Sequence, residues 1–279
     1  MRSLNNEDVE VPKSILNRQL NLLSYEGLQN YLMNTHISPA IIMRINEFGE
    51  SDLLVTFFTA DRGKLKGVAK GGRKSRRRFA NCLDLFCLAD LEYEKKRKGE
   101  LFFLRSCRLI NAFPGLRSDF SSLSLASHMI ELTGILFPLG VDDRKVFELL
   151  ENSFHVLNKG ARKDVLGIFF DAKVMSLGGY TIELNKCSVC GRDYKGEGRA
   201  VFRPNKGSIC CLKCADESAT SPGLSPESIK VLGLMQSGGW DTVNGLSFTE
   251  DIIRDIKMVV KMHMEYRIGR RLKTAKYLE

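Results

Sequence analysis

The chain has 279 residues, 43% of them hydrophobic and 9% aromatic, which is enough apolar material for packed cores and excludes a wholly disordered chain. That length fits two domains better than one, and no run of about 18 apolar residues occurs, so neither a membrane-spanning helix nor a membrane partner is expected. Forty-two Lys and Arg against 33 Asp and Glu leave a formal charge of +9, a balance that favours a polyanionic partner and by itself does not separate DNA, RNA and a membrane surface.

Residues 1–36 read as an N-terminal extension, polar and asparagine-rich, with Leu16, Leu20 and Leu23 at helical spacing. Glu7, Asp8 and Glu10 and the lack of a compact apolar stretch argue against a secretory leader, so a cytoplasmic protein is expected.

Residues 37–112 have the texture of a β domain. Runs at 40–48, 52–59, 64–69, 82–93 and 100–110 are rich in branched and aromatic residues, and turn residues separate them: Gly49, Gly63, Gly71-Gly72 and Gly99. Five short strands predict a small barrel, with an OB-fold leading and an SH3-like barrel fitting the count nearly as well. This region holds nine cations and no acid between residues 62 and 78: Arg62, Lys64, Lys66, Lys70, Arg73, Lys74, Arg76, Arg77 and Arg78. Ordinary charge runs are solvated loops, but one this one-sided concentrates field and suits phosphate contact. Phe57, Phe58 and Phe79 lie nearby and could stack on bases, although adjacent strand residues face opposite sides and core packing suits Phe57 or Phe58 better. A second basic block stands at Lys95-Lys96-Arg97-Lys98 and a third between Lys261 and Lys276.

Beyond Pro114 the apolar period changes to that of helices, giving a helical domain over 113–279. Phe120, Leu123, Ile130 and Phe137 predict one face of a central helix, widened by Leu125, Met129, Leu132 and Leu136. Val146, Leu150, Phe154 and Leu157 form a second stripe. Val165, Phe169, Ala172 and Leu177 form a third that stops at Gly178-Gly179. Ser225-Pro226 opens another helix by capping, with Leu224 stapled to Ile229, and a last helix is expected over 249–277, basic near its end.

Within this domain residues 185–216 form an insert with Cys187-x2-Cys190, a spacer of twenty residues, and Cys211-x2-Cys214. Two such turns can aim four thiolates at one tetrahedral centre, which points to one structural zinc ion with no open coordination position. Cys210 stands beside Cys211 and could compete as the third ligand; repetition of the two-residue spacing favours Cys211. Cys82, Cys87 and Cys107 read as small buried apolar residues.

No catalytic pattern is found. A phosphate loop fails because Val68 and Arg73 stand where its glycines would be. His263-Met264-Glu265 follows the cysteines instead of preceding them, as a zinc deaminase would require, and the four histidines are scattered. A binding protein, not an enzyme, is expected.

The order of these parts is more specific than any one of them. Phe48-Gly49-Glu50-Ser51-Asp52 leads to Asp61-Arg62-Gly63-Lys64 and Val68-Ala69-Lys70-Gly71, then to Leu177-Gly178-Gly179-Tyr180, the cysteine pairs, and Gly269-Arg270-Arg271-Leu272-Lys273. Over residues 37–279 the chain resembles the bacterial recombination mediator family RecO. The resemblance implies an α+β multidomain protein: a five-stranded OB-fold barrel, then a helical domain with a four-cysteine zinc finger. It implies binding of single- and double-stranded DNA, annealing of complementary strands, and loading of RecA onto DNA covered by single-strand binding protein. Partners would be RecR and the acidic C-terminal tail of that coat protein, and the location would be cytoplasmic, at the nucleoid. Carried over by position, DNA contact falls on Lys64, Lys66, Lys70, Arg73, Lys74, Arg76, Arg77 and Arg78, and on a basic surface with Arg270, Arg271 and Lys273, which could also meet the acidic tail. Zinc falls on Cys187, Cys190, Cys211 and Cys214. The extension lies outside the resemblance. An RNA-binding barrel and zinc-finger protein of translation or RNA handling is the alternative.

Overall fold

The computed structural model describes residues 35–95, 100–215 and 222–278. The extension up to residue 34, the cations Lys96, Arg97 and Lys98, and the end of the cysteine insert at residue 216 lie outside the described residues.

Five strands form a closed barrel: β1 (Thr35–Phe48), β2 (Asp52–Thr59), β3 (Gly63–Ala69), β4 (Leu88–Lys95) and β5 (Phe102–Asn111). Their order around the barrel is β1-β2-β3-β5-β4, with β1 long enough to pair with both β2 and β4, and β3 running parallel to β5. Crossing from β3 to β5 before returning to β4 makes the barrel OB-like and rules out the SH3-like alternative. β1 begins at Thr35, so the expected extension already gives way to strand before residue 37. The fourth run is shorter than expected: 82–87 is a turn segment whose residues Cys82, Phe86 and Cys87 are nevertheless buried, and that burial made it read as strand.

Strand alternation splits the apolar side chains between two cores. Ile42, Val55, Phe57, Leu65, Leu91 and Tyr93 fill the barrel, while Ile41, Phe58, Phe86 and Leu88 face outward into the core of the helices. Phe58 meets Phe137 edge-on with ring centres 6.5 Å apart. None of the three phenylalanines near the basic run can stack on a base: Phe57 and Phe58 are fully buried and Phe79 is 5% exposed.

The helical part contains α1 (Phe120–Leu136), α2 (Arg144–Asn158), α3 (Lys163–Leu177), α4 (Pro226–Ser237), α5 (Trp240–Asn244) and α6 (Glu250–Ile268). Asp119, Asp143, Ser225 and Thr249 each cap the helix that follows, accepting a bond from the backbone N–H three residues on. α3 packs against α1, α2, α4 and α6, so the hub is α3 and not the first helix. Phe120 and Leu123 are exposed at 66% and 38%, which moves the buried face of α1 onto Leu125, Met129 and Leu132. α6 ends at Ile268, nine residues short of the expected bound, because Gly269 takes a left-handed conformation and returns its N–H to Glu265. Arg270, Arg271 and Lys273 therefore sit on a non-helical, bent segment followed by a single turn, Ala275–Tyr277.

Candidate nucleic-acid interface and cysteine centre

The structure sorts the basic run into tethered and untethered cations. Lys64 leans out of β3 onto α1, where its Nζ donates to the Gly134 carbonyl at 2.5 Å, and burial holds its pKa below the ordinary value. Arg62 bonds His36 at 3.2 Å. Lys70 pairs with Asp52 at 2.6 Å; that hydrogen bond, joined by one from the Gly71 N–H, lowers the Asp52 pKa. Arg73 pairs with Glu47 at 3.2 Å, and Arg78 donates to the Lys70 carbonyl at 2.6 Å while covering the Phe79 ring. The bonds of Lys70, Arg73 and Arg78 shape the loop that leaves β3. They leave Lys66, Lys74, Arg76 and Arg77 exposed and, among the described residues, without an ion pair. A phosphate meeting these four displaces only water, whereas one meeting Lys70 or Arg73 competes with a carboxylate.

The strand registers add a residue that the linear run misses. Arg44 lies opposite Thr56, and Thr56 lies opposite Lys66, so an exposed arginine, a threonine and an exposed lysine form one polar row across β1, β2 and β3. The signal was available in the hairpin. The tight turn at 49–51 pairs Phe48 with Asp52, and counting back from it reaches Arg44 against Thr56.

The cysteine pairs sit on a small sheet of β6 (Ala200–Arg203), β7 (Ser208–Cys211) and β8 (Gly223–Leu224). The sulfurs of Cys187, Cys190, Cys211 and Cys214 all lie within 4.8 Å of one another and could hold a metal ion. Cys210 points the other way, because successive residues of β7 face opposite sides; it is fully buried, and burial raises its pKa. Burial also works against ionising Cys187, but the backbone N–H groups of Cys190, Cys211 and Val189 outweigh it and bring that thiol down to about 6. Cys214 moves up, through hydrogen bonds shared with Cys211 and Cys190. Four thiolates this close repel one another unless a cation sits between them. The sheet is fastened to the helices by Asp255 of α6, which accepts from Ser228 at 3.2 Å and pairs with Arg199 at 3.4 Å. Gln236 of α4 adds two bonds to the backbone of Ile182.

The C-terminal cations belong to a different surface. A groove of about 460 Å³ runs between α1, α3, α6 and the segment after Gly269. Ile168, Val260, Met264 and Leu272 give it an apolar floor, and the exposed edge-on pair Phe120 and Tyr277 also lines it. Its charged lining is mixed, with Lys163, Lys257, Lys261 and Arg270 against Asp164, Asp171 and Glu265. Lys273 is exposed, with its backbone N–H held by Glu131, and Arg271 is exposed beside it. The groove was not legible in the sequence, since its walls come from three regions far apart in the chain, 120–128, 163–171 and 257–278. Among the described residues no helix is long and apolar enough to cross a membrane.

Comparison with known proteins adds to this geometry. The family model for the N terminus of recombination protein O matches residues 33–113, and the model for its C terminus matches residues 117–276. A DNA repair protein RecO from Syntrophus aciditrophicus (strain SB) is 31% identical over 248 residues, 88% of this chain and 95% of the relative. Another, from Desulfatibacillum aliphaticivorans, is 30% identical over 246 residues, 87% of this chain and 95% of the relative. One from Maridesulfovibrio salexigens is 30% identical over 229 residues, 82% of this chain and 93% of the relative.

Proposed function

The chain belongs to the recombination protein O family, and on that premise we propose that it is a DNA-binding mediator of recombinational repair that works without catalysing a reaction. The observation that supports this most is the set of exposed cations on an OB-like barrel that have no ion pair among the described residues: Lys66, Lys74, Arg76 and Arg77, with Arg44 in the same row as Lys66. They contact phosphates and carry no sequence information, as a protein that must accept any strand requires. Neutralising two backbones lets complementary strands approach and anneal with no nucleotide consumed. Lys70, Arg73 and Arg78 hold the loop in shape, Lys64 ties β3 to the first helix, and all four add to the same positive field.

The four-cysteine centre holds one zinc ion in this reading. A tetrahedron of bonds near ~2.3 Å has edges of about 3.8 Å, and the Cys190 and Cys211 sulfurs stand 4.0 Å apart. Sulfur donors alone suit a soft cation, and a closed set leaves the ion to fix the small sheet in place. The groove beside Arg270 accepts the acidic tail of single-strand binding protein, its floor taking apolar side chains and its cations the carboxylates. RecR and RecA act alongside it, in the cytoplasm at the nucleoid.

The deciding experiment is annealing of complementary oligonucleotides coated with single-strand binding protein, with a coat lacking its acidic tail as control. Acceleration that needs the tail and no ATP is expected. Tight binding without acceleration, together with equal or better affinity for RNA, would transfer the function to RNA handling.

A further inference from the structure

The groove owes one of its walls to residues that do not line it. Arg270, Leu272, Ala275, Tyr277 and Leu278 line it from the segment after Gly269, which among the described residues has no strand partner and only one turn of helix. What holds that segment is a carboxylate on α1. Glu131 accepts the backbone N–H groups of Lys273 and Thr274, each at 2.9 Å, and the Thr274 hydroxyl at 2.7 Å. Thr274 also stands 3.3 Å from Nδ1 of His128, whose Nε2 is 2.7 Å from Asp171 of α3. Neither Glu131 nor Thr274 is among the groove's lining residues. Leu272, 5% exposed, is the segment's one fully seated side chain between these bonds and α6.

From this geometry we infer that Glu131 and Thr274 are positioning residues for ligand binding in the groove: their three hydrogen bonds fix the segment 270–278 as a strap, and the strap sets the width of a site for an acidic peptide. The inference rests on the groove reading above and deepens it. The effect is entropic. A segment seated by Leu272, with Ala275 and Leu278 half-buried against the same core, still samples many conformations about those contacts, and a ligand that must order it loses affinity accordingly. Two backbone donors and a hydroxyl converging on one ionised acceptor carry that ordering before the ligand arrives, because hydrogen bonds to a charged group are the stronger ones. Glu131→Gln leaves the volume unchanged but turns one acceptor into a donor facing an N–H. Thr274→Val removes the hydroxyl at constant shape, and Thr274→Ser keeps it.

The test uses the full-length chain and a fluorescein-labelled peptide of several aspartates and one aromatic residue, followed by anisotropy, with hydrogen exchange of the 270–278 amides as a second readout. Glu131→Gln and Thr274→Val are expected to bind the peptide roughly tenfold more weakly, on the strength of a charge-assisted bond. They should also exchange the Lys273 and Thr274 amides faster, while Thr274→Ser behaves as the unaltered chain in both readouts. Annealing of bare oligonucleotides, which uses the barrel, should not change in any variant. Equal peptide affinity across all variants would overturn the inference and leave the groove reading intact. Absence of binding by the unaltered chain would overturn the groove reading, and the inference with it; slow exchange in Glu131→Gln would by itself remove the carboxylate as the fastener.

Discussion

His128 shows how one residue can tie folding to pH. Burial works against its charged form, but the Asp171 carboxylate, helped by Glu131, outweighs burial and leaves its pKa above the ordinary 6.5. A raised folded-state pKa contributes stability that is fully present below 6.5 and lost as pH rises through the folded value. His128→Asn should therefore lower the melting temperature most near pH 6, with the difference shrinking towards pH 9; a pH-independent difference would mean that the ring only fills space. At the cysteine centre the side chosen by β7 gives a second residue-level prediction. Cys210→Ser should keep one metal ion per chain by mass spectrometry, while Cys211→Ser and Cys187→Ser should lose it and melt earlier. The paired spacing in the sequence favoured Cys211, but only the alternation of the strand shows why Cys210 faces the core. Phe86 and Phe113 show what spacing cannot reveal. Both adopt left-handed backbone, φ +69° and +45°, where bulky residues are rare, because both rings pack against Phe154.

Among the elements, the strands and capped helices were legible because each carries its signal locally. Gly63 is the instructive case. Its φ of +63° closes the turn between β2 and β3, as the Asp61-Arg62-Gly63 text suggests, but a Cβ there would also overlap the Val141 carbonyl. The turn is thus wedged against the loop between α1 and α2, and Gly140 donates its N–H to the Lys64 carbonyl at 2.9 Å. Gly63→Ala should destabilise the chain by well over the about 1 kcal/mol usual for a surface glycine in this conformation, measured by denaturant unfolding. The basic loop was legible as charge but not as two classes of cation, since Asp52 and Glu47 come from other strands. Replacing Lys74, Arg76 and Arg77 together should weaken binding to every sequence alike and flatten the logarithmic salt slope for single strands by about 2, at ~0.7 per phosphate contact. An unchanged slope would remove this loop from the interface. The last helix was overestimated because Arg270, Arg271 and Lys273 carry ordinary helical propensity, which Gly269 overrides.

Across the whole molecule, the boundary between barrel and helices is legible as a change of period but not as a joint. Ile41, Phe58, Phe86 and Leu88 belong to one continuous core with α1 and α2. Unfolding of the metal-loaded chain should accordingly give one calorimetric transition for barrel and helices together, where two resolved peaks would show separable units. Phe58→Ala should cost about 3–5 kcal/mol although Phe58 lies outside the barrel's own core. The underside of the barrel also bears on descent. A barrel of this kind is not a cassette that could be copied into another chain, because severed near residue 113 it would arrive with Ile41, Phe58 and Leu88 bare and prone to self-association. Any lineage that altered Phe58 would have to answer at Phe137, so the two halves are obliged to be inherited, and to drift, as a pair.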